Sequence, residues 1–246
     1  MGKREAWYAD YSVSVKSSQF SKDINTEKWF ASILDKVFYP DFISNLNNKS
    51  INSSYTIKRI SSMDKQHEGI DLIISDKSNF KEYLIDEKAQ LHYLNRKLPT
   101  FIFELFFVKD GKSKIGWFLD SKKKTTHYFF YRHILTEGEH VKSFRMDSID
   151  IPKLKNYLDE LGLDKAYLLE IVDNLIDELD IDDDLFETDK ENSYSFKKLP
   201  ESLNEIITLS LSPHYPESPI NLLINLDKLI LIEPNLFKQF IYPFPN

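Results

Sequence analysis

Short segments in which polar and apolar residues alternate with a period of two recur along the first 134 residues and predict strands. They are Tyr55–Ile60, Ile70–Ser75, Lys81–Leu91, Phe101–Val108, Ile115–Leu119 and Thr126–Ile134. The tight connection Asp76-Lys77-Ser78-Asn79 lies between the second segment and the third, so these two predict an antiparallel hairpin. The last three are joined by turns, one of them at Asp110-Gly111, and predict a meander.

Apolar residues at helical spacing predict helices on either side of these strands. The first covers Glu27–Val37 and ends before Pro40, and a polar loop follows at Ile43–Ser54. Two more cover Ile151–Leu161 and Asp164–Leu179. The last part of the chain predicts a loop at 185–202, strands at Glu205–Leu211 and Asn221–Ile232, and an irregular tail with two prolines.

The change in pattern near residue 145 predicts two parts: a core at 1–145 and an appended C-terminal region of helices and strands at 146–246, packed on that core. A chain of 246 residues with 41% hydrophobic content can bury a core of this size. The fold class expected from the elements is α/β.

Composition removes several classes of function. The chain has no cysteine, which excludes disulfides, thiolate metal sites and a cysteine nucleophile, and is compatible with a cytoplasmic location. Only 6 glycines occur, and neither glycine-rich nucleotide motif is present. The sequence predicts no signal peptide and no membrane span. The net charge of −7 comes largely from an acidic stretch at 158–191, so it does not decide against nucleic acid.

Two predicted strands carry carboxylates among apolar residues, where an unpaired charge is costly. They are Asp71 in Gly69-Ile70-Asp71 and Asp86 in Asp86-Glu87-Lys88. Strand alternation places Asp86, Lys88 and Gln90 on one face and Glu87 on the other. If Asp71 meets the Asp86 face, a pair of carboxylates results. Such oxygens bind Mg²⁺, or Mn²⁺, which can activate water for phosphodiester hydrolysis.

These residues resemble the PD-(D/E)xK nuclease superfamily, the restriction-endonuclease-like fold, over roughly residues 25–108. In that family an acid of the second core strand and an acid-x-lysine of the third form the metal site, which corresponds to Asp71, Asp86 and Lys88 here. The resemblance further implies Glu27 of the preceding helix as a metal ligand and Gln90 as a secondary catalytic residue. Glu87 is a further secondary candidate with two alternatives: it is paired on its own face with Tyr83 and Ile85, or a β-bulge rotates it into the site in place of Asp86.

The chain departs from the family pattern at two points. Ile70 stands where a proline often precedes the first acid, and no helix is evident after the third strand, where only His92–Leu98 precedes the next strand.

The resemblance implies a restriction-endonuclease-like core with a mixed sheet and a Mg²⁺-dependent deoxyribonuclease, acting in restriction, repair or a mobile element. The expected partner is DNA, and a homodimer is left open. Basic residues that could hold the DNA backbone are Arg96, Lys97, Lys122, Lys123 and Lys124.

Two other functions fit the sequence. One is a binding module for nucleic acid or protein that keeps the nuclease fold without catalysis. The other is an acidic interaction protein that binds a basic partner through residues 158–191.

Overall fold

A computed structural model describes residues 26–49, 53–109, 112–138, 140–176, 186–190, 193–211 and 219–243. Its helices are α1 (26–49, with a π-helical turn at Leu34–Phe38), α2 (Met63–His67), α3 (Ile151–Glu160), α4 (Lys165–Ile176), α5 (Glu201–Asn204) and α6 (Leu226–Ile232). Single 3₁₀ turns lie at Leu91–Tyr93 and Pro234–Leu236.

The strands follow the chain from β1 to β12. They are β1 (Tyr55–Arg59), β2 (Leu72–Asp76), β3 (Lys81–Ala89), β4 (Thr100–Lys109), β5 (Lys112–Ile115), β6 (His127–Glu137), β7 (His140–Asp150), β8 (Phe186–Lys190), β9 (Ser193–Phe196), β10 (Ile207–Leu211), β11 (Ile220–Asn225) and β12 (Phe237–Pro243). The fold is therefore α/β.

The strands form two six-stranded sheets, a mixed sheet A and an antiparallel sheet B. Sheet A has the order β1-β2-β3-β6-β7-β12, and sheet B has the order β5-β4-β11-β10-β9-β8. In sheet A the pair β3–β6 is parallel and its other pairs are antiparallel. The predicted hairpin of β2 and β3 is confirmed, with Leu72 opposite Ile85.

The chain divides into two compact units that each use several segments. The A unit contains sheet A and combines the described residues as far as Leu98 with Lys122–Pro152 and the segment from Leu236. The B unit contains sheet B and combines Pro99–Ser121 with Lys153–Asn235. A single boundary at 145/146, as expected from the sequence, is therefore not how the contacts divide the chain. The expected boundary falls inside β7.

Helix α1 is longer than the sequence predicts, and its predicted end before Pro40 is wrong. Tyr39 N–H donates to the carbonyl of Leu34, five residues back, and this wider turn precedes Pro40 in the helix. Because proline lacks an N–H and its ring crowds the previous turn, a local widening lets the helix continue. Residues 43–49, predicted as loop, are helical.

The core of the A unit forms between α1 and one face of sheet A. Aromatic residues of α1 supply much of it. Phe38 lies against Tyr131 and Phe144, with ring centroids 6.2 and 5.0 Å away, and Phe42 contacts Phe240 at 5.1 Å. This face also holds Leu72, Ile74, Ile85, Phe129 and Met146. The amphipathic pattern of α1 is thus explained by packing, as the sequence predicts.

Three other segments differ from the predictions because tertiary pairing decides them. The first hairpin of the predicted meander is confirmed, because β4 pairs antiparallel with β5, but its last strand is not part of it, since β6 belongs to the other sheet. Residues 240–243 of the tail predicted as irregular belong to β12, which pairs with β7 at the edge of sheet A, a position that tolerates Pro243, and residues 244–246 lie outside the described residues. The loop predicted at 185–202 contains β8 and β9. Part of the acidic stretch, residues 177–185, lies outside the described residues.

The predicted strand Asn221–Ile232 is divided at its middle. Ile220–Asn225 forms β11, and Leu226–Ile232 forms α6. The side chain of Asn225 caps this helix by accepting from Lys228 N–H at 3.1 Å. The two helices predicted after residue 150 are confirmed as α3 and α4.

Candidate active site

A turn at Gly69 places Asp71 directly before strand β2. Two backbone hydrogen bonds follow the end of helix α2. Gly69, which has a φ of +74°, donates its N–H to Gln66 O at 2.9 Å, and Ile70 N–H donates to Lys65 O at 3.0 Å. This pattern is typical of a glycine that closes a helix. The backbone of Asp71 is then held on both sides, because its N–H donates to Ile85 O and its carbonyl accepts from Ile60 N–H, both at 2.8 Å.

The register of the hairpin places Asp71 opposite Asp86. Leu72 pairs with Ile85, so the residue before Leu72 faces the residue after Ile85. Besides burial, the charge of Asp71 raises the pKa of Asp86, so the two carboxyl groups are near neighbours. The convergence expected from strand alternation is therefore present.

Burial gives Asp86 an unusual proton affinity. Its exposed fraction is 5%, and the loss of hydration raises its pKa from an ordinary 3.8 to about 6. Lys88 acts against this shift, and the neighbouring carboxylate of Asp71 adds to it. A buried Asp86 beside a half-buried Asp71 is a pair whose repulsion a cation would relieve.

Lys88 lies on the same face as Asp86, as alternation predicts. Its Nζ is 2.8 Å from Asp86 Oδ1, and its side chain remains 30% exposed. The amine can therefore contact both the carboxylate pair and a group that arrives from solvent. Gln90 follows the end of β3, and its backbone N–H donates to Tyr131 O at 3.0 Å.

Glu87 points to the opposite face of sheet A, toward α1. Its Oε2 is paired with Arg59 of β1, and its Oε1 accepts from the hydroxyls of Tyr39 and Tyr131, the latter at 3.3 Å. Its side chain is only 13% exposed, and burial raises its pKa while Arg59 opposes the shift. Its backbone N–H donates to Asp71 Oδ2 at 2.8 Å. The side chain of Glu87 is thus outside the group formed by Asp71, Asp86 and Lys88.

The structure does not bring Glu27 into this group. Glu27 is exposed on α1, a helix that packs on the sheet face opposite to Asp86 and Lys88. Within the described ranges, no three His, Asp or Glu side chains lie close enough to share a metal ion. The carboxylate donors at the candidate site are therefore Asp71 and Asp86.

The segment before β6 borders the carboxylate pair. Thr125 Oγ1 donates to Gly69 O at 2.6 Å, Lys123 Nζ donates to His67 O at 2.9 Å, and Lys124 Nζ is 2.5 Å from Glu68 Oε1. A Cβ on Gly69 would lie 2.7 Å from Thr125 Oγ1 and 3.6 Å from Asp86 Oδ2. Lysines at this position hold the Gly69 turn and also line the rim of the site.

The other basic residues expected to hold DNA lie on exposed surface. Lys122 precedes the segment that contacts the Gly69 turn, and Arg96 and Lys97 follow the 3₁₀ turn after β3.

Several residues around the site were not singled out as site residues from the sequence. Tyr128 is opposite Asp86 in the parallel pair β3–β6, and burial followed by the charge of Asp86 raises its pKa well above the ordinary value. The others are Arg59, Tyr39, Gly69 and Thr125. Only Gly69 had a local signal, a glycine between a polar turn and a strand.

Comparison with known proteins adds no relative. No family model matches the chain, and neither a curated protein nor a solved structure matches it. Among the described residues, no helix has the length and apolar character needed to cross a membrane.

Proposed function

We propose that this protein is a metal-dependent nuclease that hydrolyses phosphodiester bonds of DNA. The observation that carries the proposal is the convergence of Asp71, Asp86 and Lys88 from two paired strands onto one face of a sheet. The helix α1 before β1 and the mixed sheet agree with the restriction-endonuclease-like pattern that the sequence resembles.

The donor set suits Mg²⁺ or Mn²⁺. Both cations prefer oxygen ligands, and Mg²⁺ commonly takes one or two carboxylates and completes its shell with water and substrate phosphate. Asp71 and Asp86 would hold the ion, and their mutual repulsion is the feature that a cation would offset. A bound ion would supply a Lewis acid and a more acidic water at the scissile phosphate.

The position of each side chain in the site suggests its role in phosphodiester hydrolysis. Asp71 and Asp86 would hold the ion, which would supply a positive charge beside the reacting phosphate. Lys88, partly exposed beside Asp86, would donate to a phosphate oxygen or to the attacking water. Tyr128 and the buried neighbours of Asp86 keep bulk water from its carboxylate.

The rim of the site carries charge of the sign that DNA requires. Lys123 is half-buried at the Gly69 turn, and Lys122 and Lys124 are exposed beside it. Lysines at such a rim would contact the phosphates that flank the cleaved bond and position the strand without reading its sequence.

A binding module that keeps this fold is the second candidate. It is favoured by one observation: among the described residues the carboxylate pair has no third acidic or histidine ligand. Such a module would bind DNA through the same rim and would leave the phosphodiester intact.

Cleavage of plasmid and single-stranded DNA with Mg²⁺ or Mn²⁺ separates the two candidates. For the nuclease, Asp71→Asn and Lys88→Ala should each lower the cleavage rate at least about 100-fold, because each removes a group that stabilises the transition state. DNA binding by the Lys88→Ala variant, measured by fluorescence anisotropy, should change much less than the rate.

Matched controls come from exposed residues of the same types. Asp64→Asn on α2 and Lys81→Ala at the start of β3 alter the same charges away from the site. Both should cleave at the wild-type rate. Wild-type protein that binds DNA but cuts no more than Asp71→Asn would favour the binding module and refute the nuclease.

A further inference from the structure

Glu87 contacts residues on both faces of sheet A, one with its side chain and the other with its backbone. Its side chain lies on the α1 face, in contact with Arg59, Tyr39 and Tyr131. Its backbone N–H donates to Asp71 Oδ2 at 2.8 Å. The residue between the acid and the lysine of the candidate motif therefore contacts the candidate metal ligand through its main chain alone.

The partners of the Glu87 carboxylate come from three different elements. Tyr39 belongs to α1, Arg59 to β1 and Tyr131 to β6. Because the Tyr39 hydroxyl donates its one hydrogen to Glu87, the Tyr131 hydroxyl shares its hydrogen between Glu87 Oε1 and the Tyr39 hydroxyl oxygen. Asp35 of α1 holds the other side of Arg59 at 2.6 Å. We call these residues, Asp35, Tyr39, Arg59, Glu87 and Tyr131, the Glu87 anchor.

The anchor restrains the strand at one point. Glu87 accepts charge-assisted hydrogen bonds in a largely buried setting, where they are strong and where the loss of a partner is costly. Because its neighbours in the chain are Asp86 and Lys88, a rotation or shift of β3 at Glu87 would move both of those side chains and the N–H that Asp71 accepts from.

We infer that Glu87 is a positioning residue, whose side chain on the α1 face holds its backbone N–H in place to orient the carboxylate of Asp71 on the opposite face. This inference rests on the proposed function for its consequence, which is a carboxylate pair arranged for a divalent cation. Its structural part concerns only the hydrogen bond between Glu87 N–H and Asp71.

The test of the structural part needs neither metal nor activity. In Glu87→Gln the side chain keeps its length but loses the charge that holds Arg59 and Tyr39. Hydrogen exchange of the amide at position 87, followed by NMR, should become at least about tenfold faster, and the carboxyl ¹³C signal of Asp71 should shift. Glu82→Gln, an exposed change on the same strand, should alter neither signal.

A milder variant guards against simple loss of folding. Tyr131→Phe keeps the buried ring and removes only the hydroxyl that lies 3.3 Å from Glu87 Oε1. It should accelerate the same amide exchange, by less than Glu87→Gln, while amides of β10 and β11 in the B unit keep their wild-type rates. Unchanged exchange at position 87 in both variants would overturn the inference.

Binding of Mn²⁺, measured by calorimetry, tests the consequence. Loss of a residue that orients a metal ligand typically weakens binding by about 10- to 100-fold, so Glu87→Gln should bind Mn²⁺ at least about tenfold more weakly than wild type and Glu82→Gln should bind as wild type does. Altered exchange with unaltered Mn²⁺ affinity would overturn the positioning role. Wild-type protein that binds no Mn²⁺ would refute the proposed function and this consequence together, and the exchange result would still decide the hydrogen bond.

Discussion

At the scale of single residues, the carboxylate of Asp86 is held in a setting that disfavours its charge. Burial is the main cause of its raised pKa, Lys88 opposes this effect, and the charge of Asp71 adds to it. Groups that are costly to the folded state and close to other charges are typical of functional sites, where stability is lowered in favour of chemistry. This cost has a measurable pH dependence.

Asp86→Asn should stabilise the protein at pH 8. A folded-state pKa of about 6, above the ordinary 3.8, means that the folded protein binds the proton more tightly than the unfolded chain. The contribution of Asp86 to stability is therefore fully present below about pH 4 and is lost as the pH rises through 6. The shift corresponds to at most about 3 kcal/mol, which the neutral asparagine would recover at high pH.

Thermal melts at pH 4.5 and pH 8 measure this effect of Asp86→Asn on stability. The melting temperature of Asp86→Asn should exceed that of wild type by several degrees at pH 8, and the gain should shrink at pH 4.5. Asp64→Asn, at an exposed position, serves as the control. A lower melting temperature for Asp86→Asn at pH 8 would mean that the pair with Lys88 outweighs burial.

At the scale of elements, the turn that joins α2 to β2 fixes the position of Asp71, the residue directly before β2. Gly69 has a positive φ of +74° and lies against the segment that carries Lys123 and Thr125. A Cβ at this point would be 2.7 Å from Thr125 Oγ1 and 3.0 Å from Lys123 Cδ. The glycine is needed here for two reasons, the backbone conformation and the close approach of the neighbouring segment.

Gly69→Ala should therefore lower both stability and cleavage. The left-handed conformation costs about 1–2 kcal/mol for alanine, and crowding adds about 1–3 kcal/mol. Urea denaturation and the Mg²⁺-dependent cleavage rate measure the two effects.

Gly138→Ala offers a matched comparison. Gly138 has a similar φ of +58°, and a Cβ there would meet nothing within 4 Å. It should show only the conformational cost and keep full cleavage. Equal losses in the two variants would show that contact with the Thr125 segment does not matter at Gly69.

At the scale of the whole molecule, the A unit is assembled from separate parts of the chain. β7 and β12 complete sheet A after β6, and β12 comes from the last described residues. Tyr242 packs on Phe38 at 5.1 Å, and Phe240 packs on Phe42 at 5.1 Å. The candidate site belongs to a sheet that needs both ends of the described chain.

A chain truncated to residues 1–145 should not fold. It ends inside β7, between Arg145 and Met146, and lacks β12, so the aromatic core under α1 would be open. Near-UV circular dichroism should show no fixed aromatic environment, and thermal melting should lack a cooperative transition. A sharp melt like that of the full chain would contradict the assembly of the A unit from distant segments.

The sequence by itself determined the local parts of the candidate site. Strand alternation was enough to place Asp86 and Lys88 on one face and Glu87 on the other, because this depends only on residues within one strand, whereas the register that brings Asp71 to the Asp86 face came from the structure. Helices α3 and α4 followed from their spacing of apolar residues for the same reason.

Only the tertiary structure decided what surrounds that hairpin. Arg59 and Tyr39, which hold Glu87, lie 28 and 48 residues away from it along the chain. Strand β6 pairs in parallel with β3 although the segment Pro99–Ser121 between them belongs to the other unit. Such contacts depend on which surfaces bury each other and not on local periodicity. Strand β12 also depends on a distant contact. Two prolines predicted an irregular tail, but the segment pairs with β7 at the edge of sheet A and forms a strand there.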